Sequence, residues 1–224
     1  MSGPDPNANP RLALAIQIAK KAGIPKSNIE SAILRGQGKS TSGAALEAVT
    51  LEAMLPPSIA TVIDCQTDNK LRTLADLRLL VKDYGGNVTP IGYLFEKRGR
   101  IILRKSGGLV LDDVLEPALD AGALDAIEDA EGRIILFTEP AYTKSTAETL
   151  TKKYKLEIEE TEIIWDPNAD TKAALNDEEA AKKFGEFLEK LQEVMGVQGV
   201  YMNWTKGAIS DEIWAELQSK AALS

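Results

Sequence analysis

One stretch, residues 59–95, constrains the fold most, because two different hydrophobic periods follow each other within it. The run Ile59–Cys65 is apolar and β-branched, which predicts a buried strand. A helix is predicted next, from apolar residues at spacings of three and four: Leu71, Leu74, Leu77, Val81 and Tyr84. The run Ile91–Phe95 predicts a returning strand. A strand, a helix and a second strand form half of an α/β sandwich, which other segments must complete.

The ends of this helix are marked by residues suited to caps. Thr67–Asn69 precede it, and their side-chain oxygens can accept hydrogen bonds from the first free N–H groups. Gly85–Asn87 follow it and tolerate the positive φ common at helix C-termini. Capping accounts for these polar residues but not for Arg72, whose nearest predicted local partner is Asp76.

The rest of the chain supplies further helices and strands. The first helix is predicted from Pro10 to Ala22, and a second opens with a capping box at Ser27–Glu30 and ends at Gly36–Gly38. The first helix has apolar residues on more than one face, so we expect part of this set to be exposed: Leu12, Leu14, Ile16 and Ile18. A strand is predicted at Leu46–Leu55.

The second half of the chain reads as two interleaved units. The order strand, helix, strand, strand, helix, strand predicts a ferredoxin-like unit, with elements at 100–104, 111–121, 124–127, 133–137, 142–153 and 156–165. A helix at Asp177–Met195 and a strand at Val197–Tyr201 would complete the earlier sheet. The prediction is an α+β fold with four parts: a helical part at 1–45, an outer α/β sandwich domain at 46–99 plus 167–204, an inserted ferredoxin-like βαββαβ domain at 100–166, and a tail with a short helix at 205–224.

Composition argues against an enzyme. The chain of 224 residues contains no histidine, which removes the usual general base and the commonest metal ligand. Its single cysteine, Cys65, lies in a strand-like apolar run and is predicted to be a small core residue. No apolar run approaches the roughly 20 residues that span a bilayer. We therefore expect no catalytic residue, cofactor, metal or membrane span.

Charge is divided unevenly along the chain. Residues 1–105 hold 15 basic and 9 acidic side chains, a net charge of +6, whereas residues 106–224 hold 11 and 25, a net charge of −14. Both halves could simply be solvated faces, or they could meet different partners. The basic side chains considered for phosphate contact are Lys20, Lys21, Lys26, Arg35, Arg72, Arg78, Lys82, Lys97 and Arg98. The acidic block 112–139 is either a solvated face or a docking surface for a basic protein.

Several motifs resemble the YebC family, which includes the mitochondrial translational activator of cytochrome c oxidase subunit I. The central motif comprises Thr67, Asp68, Asn69, Arg72, Thr73, Gly85, Gly86 and Asn87. It continues through Gly92-Tyr93-Leu94-Phe95 to Gly99, and other matches extend from Asn9-Pro10-Arg11-Leu12 to Val197-Gln198-x-Val200-Tyr201-x-Asn203. The family normally has further residues upstream, so a truncated N-terminus is expected. It also has a Gly-rich loop where this chain has Met54–Ser58.

The resemblance implies a non-enzymatic translation factor bound to the ribosome and to ribosomal or messenger RNA. It implies the mitochondrial matrix or, alternatively, the bacterial cytoplasm as the location. The sequence leaves the oligomeric state open, with a monomer favoured. The alternative function is a DNA-binding transcriptional regulator of the YebC type. No helix-turn-helix with an exposed basic recognition helix is evident in the sequence, which argues against that alternative.

Overall fold

A computed structural model describes residues 10–40, 45–105, 108–129 and 131–221. The helices are α1 Pro10–Lys21, α2 Lys26–Gly36, α3 Lys70–Asp83, α4 Leu111–Asp120, α5 Thr143–Lys153, α6 Glu178–Glu193 and α7 Asp211–Ala221. The strands are β1 Glu47–Leu55, β2 Ile59–Thr67, β3 Asn87–Val88, β4 Phe95–Leu103, β5 Asp125–Glu128, β6 Ile134–Thr138, β7 Ile158–Pro167, β8 Ala173–Leu175, β9 Val197–Met202 and β10 Trp204–Lys206. Within this described part, no helix has the length and apolar character needed to cross a membrane.

The outer sheet has the order β3-β1-β2-β9, and each neighbouring pair is antiparallel. Helices α3 and α6 cover one face of this sheet, where Leu77 and Phe187 are fully buried. Strand β2 is buried on its other face as well, because Ala60 and Val62 pack with Phe95. Burial on both faces explains why this strand is continuously apolar. The predicted strand at Val197–Tyr201 pairs with β2, which confirms its place in the outer sheet.

The second sheet has the order β5-β6-β4-β7, with all pairs antiparallel. In chain order its elements are β4, α4, β5, β6, α5 and β7, which is the ferredoxin-like arrangement that was predicted. Its core is formed mainly by Ile101, Leu103, Val114, Ala118, Leu136 and Leu150. We call this unit, 95–167, the insert.

The predicted strand at Ile91–Phe95 is wrong. Residues Gly92–Leu94 form a short 3₁₀ helix, and β3 supplies the third strand of the outer sheet instead. The cause is Glu52, whose carboxylate accepts hydrogen bonds from the backbone N–H groups of Ile91 and Gly92 at 2.7 and 2.8 Å. Those N–H groups are therefore unavailable to a strand ladder. Phe95 instead begins β4, which continues without interruption through the boundary predicted at residue 99.

Helix capping was predicted correctly at α3 but not at α2. The Asn69 side chain accepts a hydrogen bond from the backbone N–H of Arg72 at 3.1 Å. Helix α2, however, begins at Lys26, directly after Pro25, and has no side-chain cap. The fixed φ of proline is suited to a helix start, so the helix begins earlier and Ser27 lies inside it. The capping box predicted at Ser27–Glu30 is therefore absent, and Glu30 pairs with Lys26 at 3.5 Å instead.

The two ends of the described chain differ in packing. On α1, Leu14 is 58% exposed and Ile18 is 60% exposed, as expected from apolar residues on two faces. At the other end, α7 packs against α6. Its residues Ile213 and Leu217 are buried in the core that α6 shares with the outer sheet. The short parallel pair of β8 and β10 precedes α7 and was not predicted.

Cys65 is a core residue, as predicted. It is 2% exposed, and burial, aided by the charge of Asp64, raises the pKa of its thiol to about 11. We expect iodoacetamide at pH 8 to leave Cys65 almost unmodified in the folded protein and to modify it rapidly in urea, because alkylation needs an accessible thiolate. Mass spectrometry of timed samples measures this. Equal rates in the two conditions would contradict the burial of the thiol.

Candidate nucleic-acid interface

Two threonines of the central motif hold the start of α3 against the end of β2. The hydroxyls of Thr67 and Thr73 are hydrogen-bonded to each other at 2.8 Å, and both residues are buried. The Thr67 hydroxyl also accepts a hydrogen bond from the backbone N–H of Asn69 at 3.0 Å. These three motif residues therefore have a structural role, and they fix the position of Arg72 in the first turn of the helix.

The glycines of the motif allow the end of α3 to approach β1. Gly85 has a φ of +76°, a conformation that favours glycine. A Cβ atom on Gly86 would lie 2.9 Å from the carbonyl oxygen of Met54 and 2.8 Å from a methyl of Leu55. Asn87 then pairs with Met54 as the first residue of β3. This half of the motif is also structural.

Arg72 is a charged motif side chain that remains largely free. Its guanidinium lies 3.9 Å from the carboxylate of Asp68, and its side chain is 63% exposed. The predicted partner Asp76 is not the one that is observed. A long, exposed pair of this kind is worth little, about 0–1 kcal/mol. The positive charge of Arg72 is therefore available to a ligand.

Arg72 lines a cleft of about 880 Å³ formed by three separate segments. The end of α2 contributes Arg35, and the outer side of α3 contributes Arg72. The third segment contributes Lys190 from the last turn of α6 and Met195 from the turn that follows it. Two of the predicted phosphate contacts are thus brought into one cleft. The cleft also has acidic residues in its lining, namely Asp68, Asp76, Asp83 and Glu193. Lys190 is paired with Glu193 at 3.0 Å, which leaves the two arginines as its least neutralised cations.

The predicted basic residues divide into two groups. Those on α1, α2 and α3 are exposed, and in the described ranges no ion pair forms at five of them: Lys20, Lys21, Arg35, Arg78 and Lys82. Lys26 is paired with Glu30, as described above. We call these six residues, together with Arg72, the basic surface.

Lys97 and Arg98 belong to β4 of the insert and are already occupied by neighbours. The Lys97 ammonium lies 4.5 Å from the centroid of the Trp165 ring. Arg98 contacts Glu96 at 2.6 Å and Asp166 at 3.4 Å, and the hydrogen bond to Glu96 is the main reason that the pKa of Arg98 is raised. The structure therefore does not group these two side chains with the basic surface.

Sequence reasoning missed one wall of the cleft. This wall consists of the turn 194–196 and Gln198 of β9, and Met195 in that turn is 71% exposed. It lies beside the start of α3 because β9 pairs with β2, and the backbone N–H of Gln66 donates to the carbonyl of Gly196 at 2.7 Å. Only that long-range pairing reveals the wall, since Met195 stands in no sequence motif. In the residues that the structure describes, no cluster of three or more Cys, Asp or Glu side chains could hold a metal ion.

Comparisons with known proteins cover nearly the whole chain. A family model described as "TACO1/YebC protein N-terminal domain" matches residues 1–39, and one described as "TACO1/YebC second and third domain" matches residues 46–204. A "Probable transcriptional regulatory protein" of Persephonella marina is 39% identical over 90% of this chain and 80% of its own length. One of the same description from Nitrosococcus oceani is 38% identical over 97% of this chain and 85% of its own.

A solved structure is similar as well. The crystal structure of the conserved hypothetical protein Aq1575 from Aquifex aeolicus aligns with a TM-score of 0.64 and 35% identity. The alignment covers 92% of this chain and 84% of the other. Fold and sequence agree from the helical N-terminal part to the last strand of the outer sheet, and the chain belongs to the TACO1/YebC family.

Proposed function

We propose that this protein is a non-enzymatic regulatory factor that binds RNA phosphates on the ribosome and promotes translation. The observation that carries the proposal is the basic surface, on which six of seven cations have no ion pair, or only a distant one, with any residue that the structure describes. Cations that are not already neutralised can replace the counterions around a phosphate backbone, and the release of those counterions favours binding.

The arrangement favours phosphate contact over base reading. Helix α3 carries Arg72, Arg78 and Lys82, but it also carries Asp76 and Asp83. A helix of such mixed charge is poorly suited to lie deep in a DNA groove lined by phosphates. No stacking aromatic residues are interleaved with the cations of α3. These features fit a folded RNA that is recognised by its shape and its backbone.

A second candidate function is transcriptional regulation through duplex DNA. The printed names of the relatives fit this candidate better than they fit translation. Residues 22–25 join α1 to α2, which is the short connection with a glycine that is typical of a helix-turn-helix. Lys26 and Asn28 are exposed at the start of α2, where a recognition helix contacts bases. The short connection and the exposed Lys26 weaken the sequence-based argument against DNA.

The sign of the charge decides which part of the protein faces the nucleic acid, whether this is RNA or DNA. The insert holds 10 basic and 16 acidic side chains, a net charge of −6, and would be repelled by a polyanion, so we place it away from the nucleic acid or towards a basic ribosomal protein. For the site of action we propose the mitochondrial matrix, with the bacterial cytoplasm as the alternative. A monomer suffices for this arrangement.

Charge reversal on α3 tests the proposal. Changing Arg72, Arg78 and Lys82 together to Glu should weaken co-sedimentation with ribosomes. It should also make the remaining binding less dependent on salt, by about 0.7–0.9 in the log–log slope for each phosphate contact that is lost. Stability should change by no more than about 1 kcal/mol, because these side chains are exposed. The measurements are sedimentation across a salt series and thermal melting.

A matched control carries the same charge change on the insert. Lys144, Lys152 and Lys155 are exposed, and their change to Glu should leave the salt slope unaltered. Equal effects of the two triple variants would contradict a specific basic surface. A parallel titration with duplex DNA separates the two candidates. If the α3 variant loses DNA affinity while ribosome binding is unchanged, the translational proposal is wrong and the transcriptional one stands.

A further inference from the structure

Helix α4 of the insert has an apolar strip that faces solvent. Val114 and Ala118 are fully buried in the core of the insert. Leu115 and Leu119 follow them by one residue and are 39% and 51% exposed. Because these two leucines are four residues apart, they lie one above the other on the same side of the helix. The strip is therefore a second apolar face, which the insert itself does not cover.

This strip lines a groove of about 740 Å³. The apolar part of the lining is formed by Leu115, Pro117, Leu119 and Tyr154, the last of these at the end of α5. The acidic part is formed by Asp112, Glu116 and Asp120. We call this feature the α4 groove. It lies on the insert, whereas the cleft that contains Arg72 lies against the outer sheet, so the two could be occupied at the same time.

The stability of helix α4 does not explain its negative charge. The helix contains four carboxylates and no basic residue. Asp112, in the first turn, is favoured by the helix dipole, but Asp120 lies at the opposite end, where a negative charge is disfavoured. Asp112, Glu116 and Asp120 also follow one another at intervals of four, and each such like-charged pair destabilises a helix by a few tenths of a kcal/mol.

Among the described residues, ion-pair partners are found for Asp120 but for no other carboxylate of α4. Asp120 is paired with the ammonium of Lys153 at 2.6 Å and accepts a hydrogen bond from the hydroxyl of Tyr154, and both contacts lower the pKa of Asp120. Over the ranges that the structure covers, Asp112 and Glu116 form no ion pair. The groove thus presents an apolar strip beside uncompensated negative charge.

From this pairing of an apolar strip with carboxylates, we propose that the α4 groove binds a cationic amphipathic helix of a protein partner. Apolar side chains one helical turn apart on the partner would contact Leu115 and Leu119, and flanking Lys or Arg side chains would pair with Asp112 and Glu116. Nucleic acids and anionic membranes are excluded as occupants by the sign of the charge. The inference goes beyond the proposed function, and it holds whether the basic surface meets RNA or DNA.

The test uses the full chain and two synthetic peptides of identical composition. The first is a helical peptide with Leu at every third and fourth position and Lys on the remaining face, and the second is a scrambled peptide without that pattern. We expect the amphipathic peptide to bind about tenfold more tightly than the scrambled one, as measured by fluorescence anisotropy. Equal affinity would mean that only net charge is recognised and would overturn the proposal.

Two variants test whether the peptide binds in the α4 groove. Glu116→Lys should weaken peptide binding about tenfold, a difference of about 1.4 kcal/mol. It should not harm folding, because a lysine between Asp112 and Asp120 would form favourable pairs along the helix. The matched control is Glu159→Lys on β7, an exposed position at the opposite edge of the same sheet, and it should change affinity less than twofold.

The second variant, Leu119→Ser, removes an apolar contact without changing charge and should also weaken peptide binding. Equal affinities of the Glu116 and Glu159 variants, or an unchanged affinity of Leu119→Ser, would show that the peptide does not use the α4 groove. Neither variant should alter ribosome or DNA binding. Failure of the basic surface and failure of this groove can therefore be told apart.

Discussion

Replacing Gly99 by alanine is expected to lower the free energy of unfolding by about 2–3 kcal/mol. Gly99 lies on β4 beside Thr143 of α5 and Thr138 of β6. An added Cβ atom would lie 2.8 Å from the Cβ of Thr143 and even closer to the hydroxyls of Thr143 and Thr138. Those two threonines are buried and hydrogen-bonded to each other at 2.9 Å, so they cannot move without breaking that bond. Urea unfolding followed by circular dichroism measures the change.

The control for this substitution is Gly36→Ala at the end of α2. A Cβ atom there would meet nothing within 4 Å, and the backbone is helical. Alanine is favoured over glycine in helices by up to about 1 kcal/mol, so the control should be neutral or slightly stabilising. If Gly99→Ala were as stable as its control, the close packing of α5 on β4 would be refuted.

Asn203→Leu is expected to destabilise the protein by about 2–5 kcal/mol. Asn203 is 3% exposed and links three segments of the outer body. Its side-chain oxygen accepts from the backbone N–H of Ala60 at 2.9 Å, and its amide donates to the carbonyl of Thr171 at 2.6 Å. Leucine has a similar size but leaves the buried N–H of Ala60 and the partly buried carbonyl of Thr171 without this partner. The midpoint of urea unfolding should fall accordingly.

A matched asparagine provides the comparison. Asn168 donates from its side chain to the carbonyl of Tyr93 at 3.1 Å, but it is only partly buried. Water can replace that hydrogen bond, so Asn168→Leu should cost less than about 1 kcal/mol. Equal losses for the two variants would mean that burial does not set the importance of Asn203.

Sequence periodicity was sufficient for the long elements and failed where distant residues decide the backbone. The period of α3 and the alternation along β1 identified both elements, because each buries one face in a core. The 3₁₀ helix at Gly92–Leu94 could not be foreseen, since its N–H groups are taken by Glu52, some 40 residues earlier. Strands β8 and β10 have three residues each, too few to show a period.

The sequence was sufficient to identify the basic residues of the candidate site but not to show how they are arranged in space. Net charge identified the cations, yet it could not show that Arg35 and Arg72 line one cleft, which depends on how α2 lies against α3. Nor could it show that Lys97 and Arg98 are engaged by Trp165 and Asp166, which β7 brings beside β4. Contacts between residues that are distant in sequence therefore determine which basic side chains are free and which are engaged.

The strands of the insert lie between β3 and β9 of the outer sheet along the chain, and this arrangement sets an order of folding. Within the insert, every strand pair joins residues that are no further apart than Phe95 and Pro167, so this unit is complete once residue 167 has been synthesised. The outer sheet must wait longer, because Ile63 of β2 pairs with Val200 of β9, 137 positions later. Until then, one edge of β2 has unpaired N–H and C=O groups, which are prone to wrong association. A nascent chain therefore carries a finished insert on an unfinished outer sheet, and the arrival of β9 is the step that closes the exposed edge.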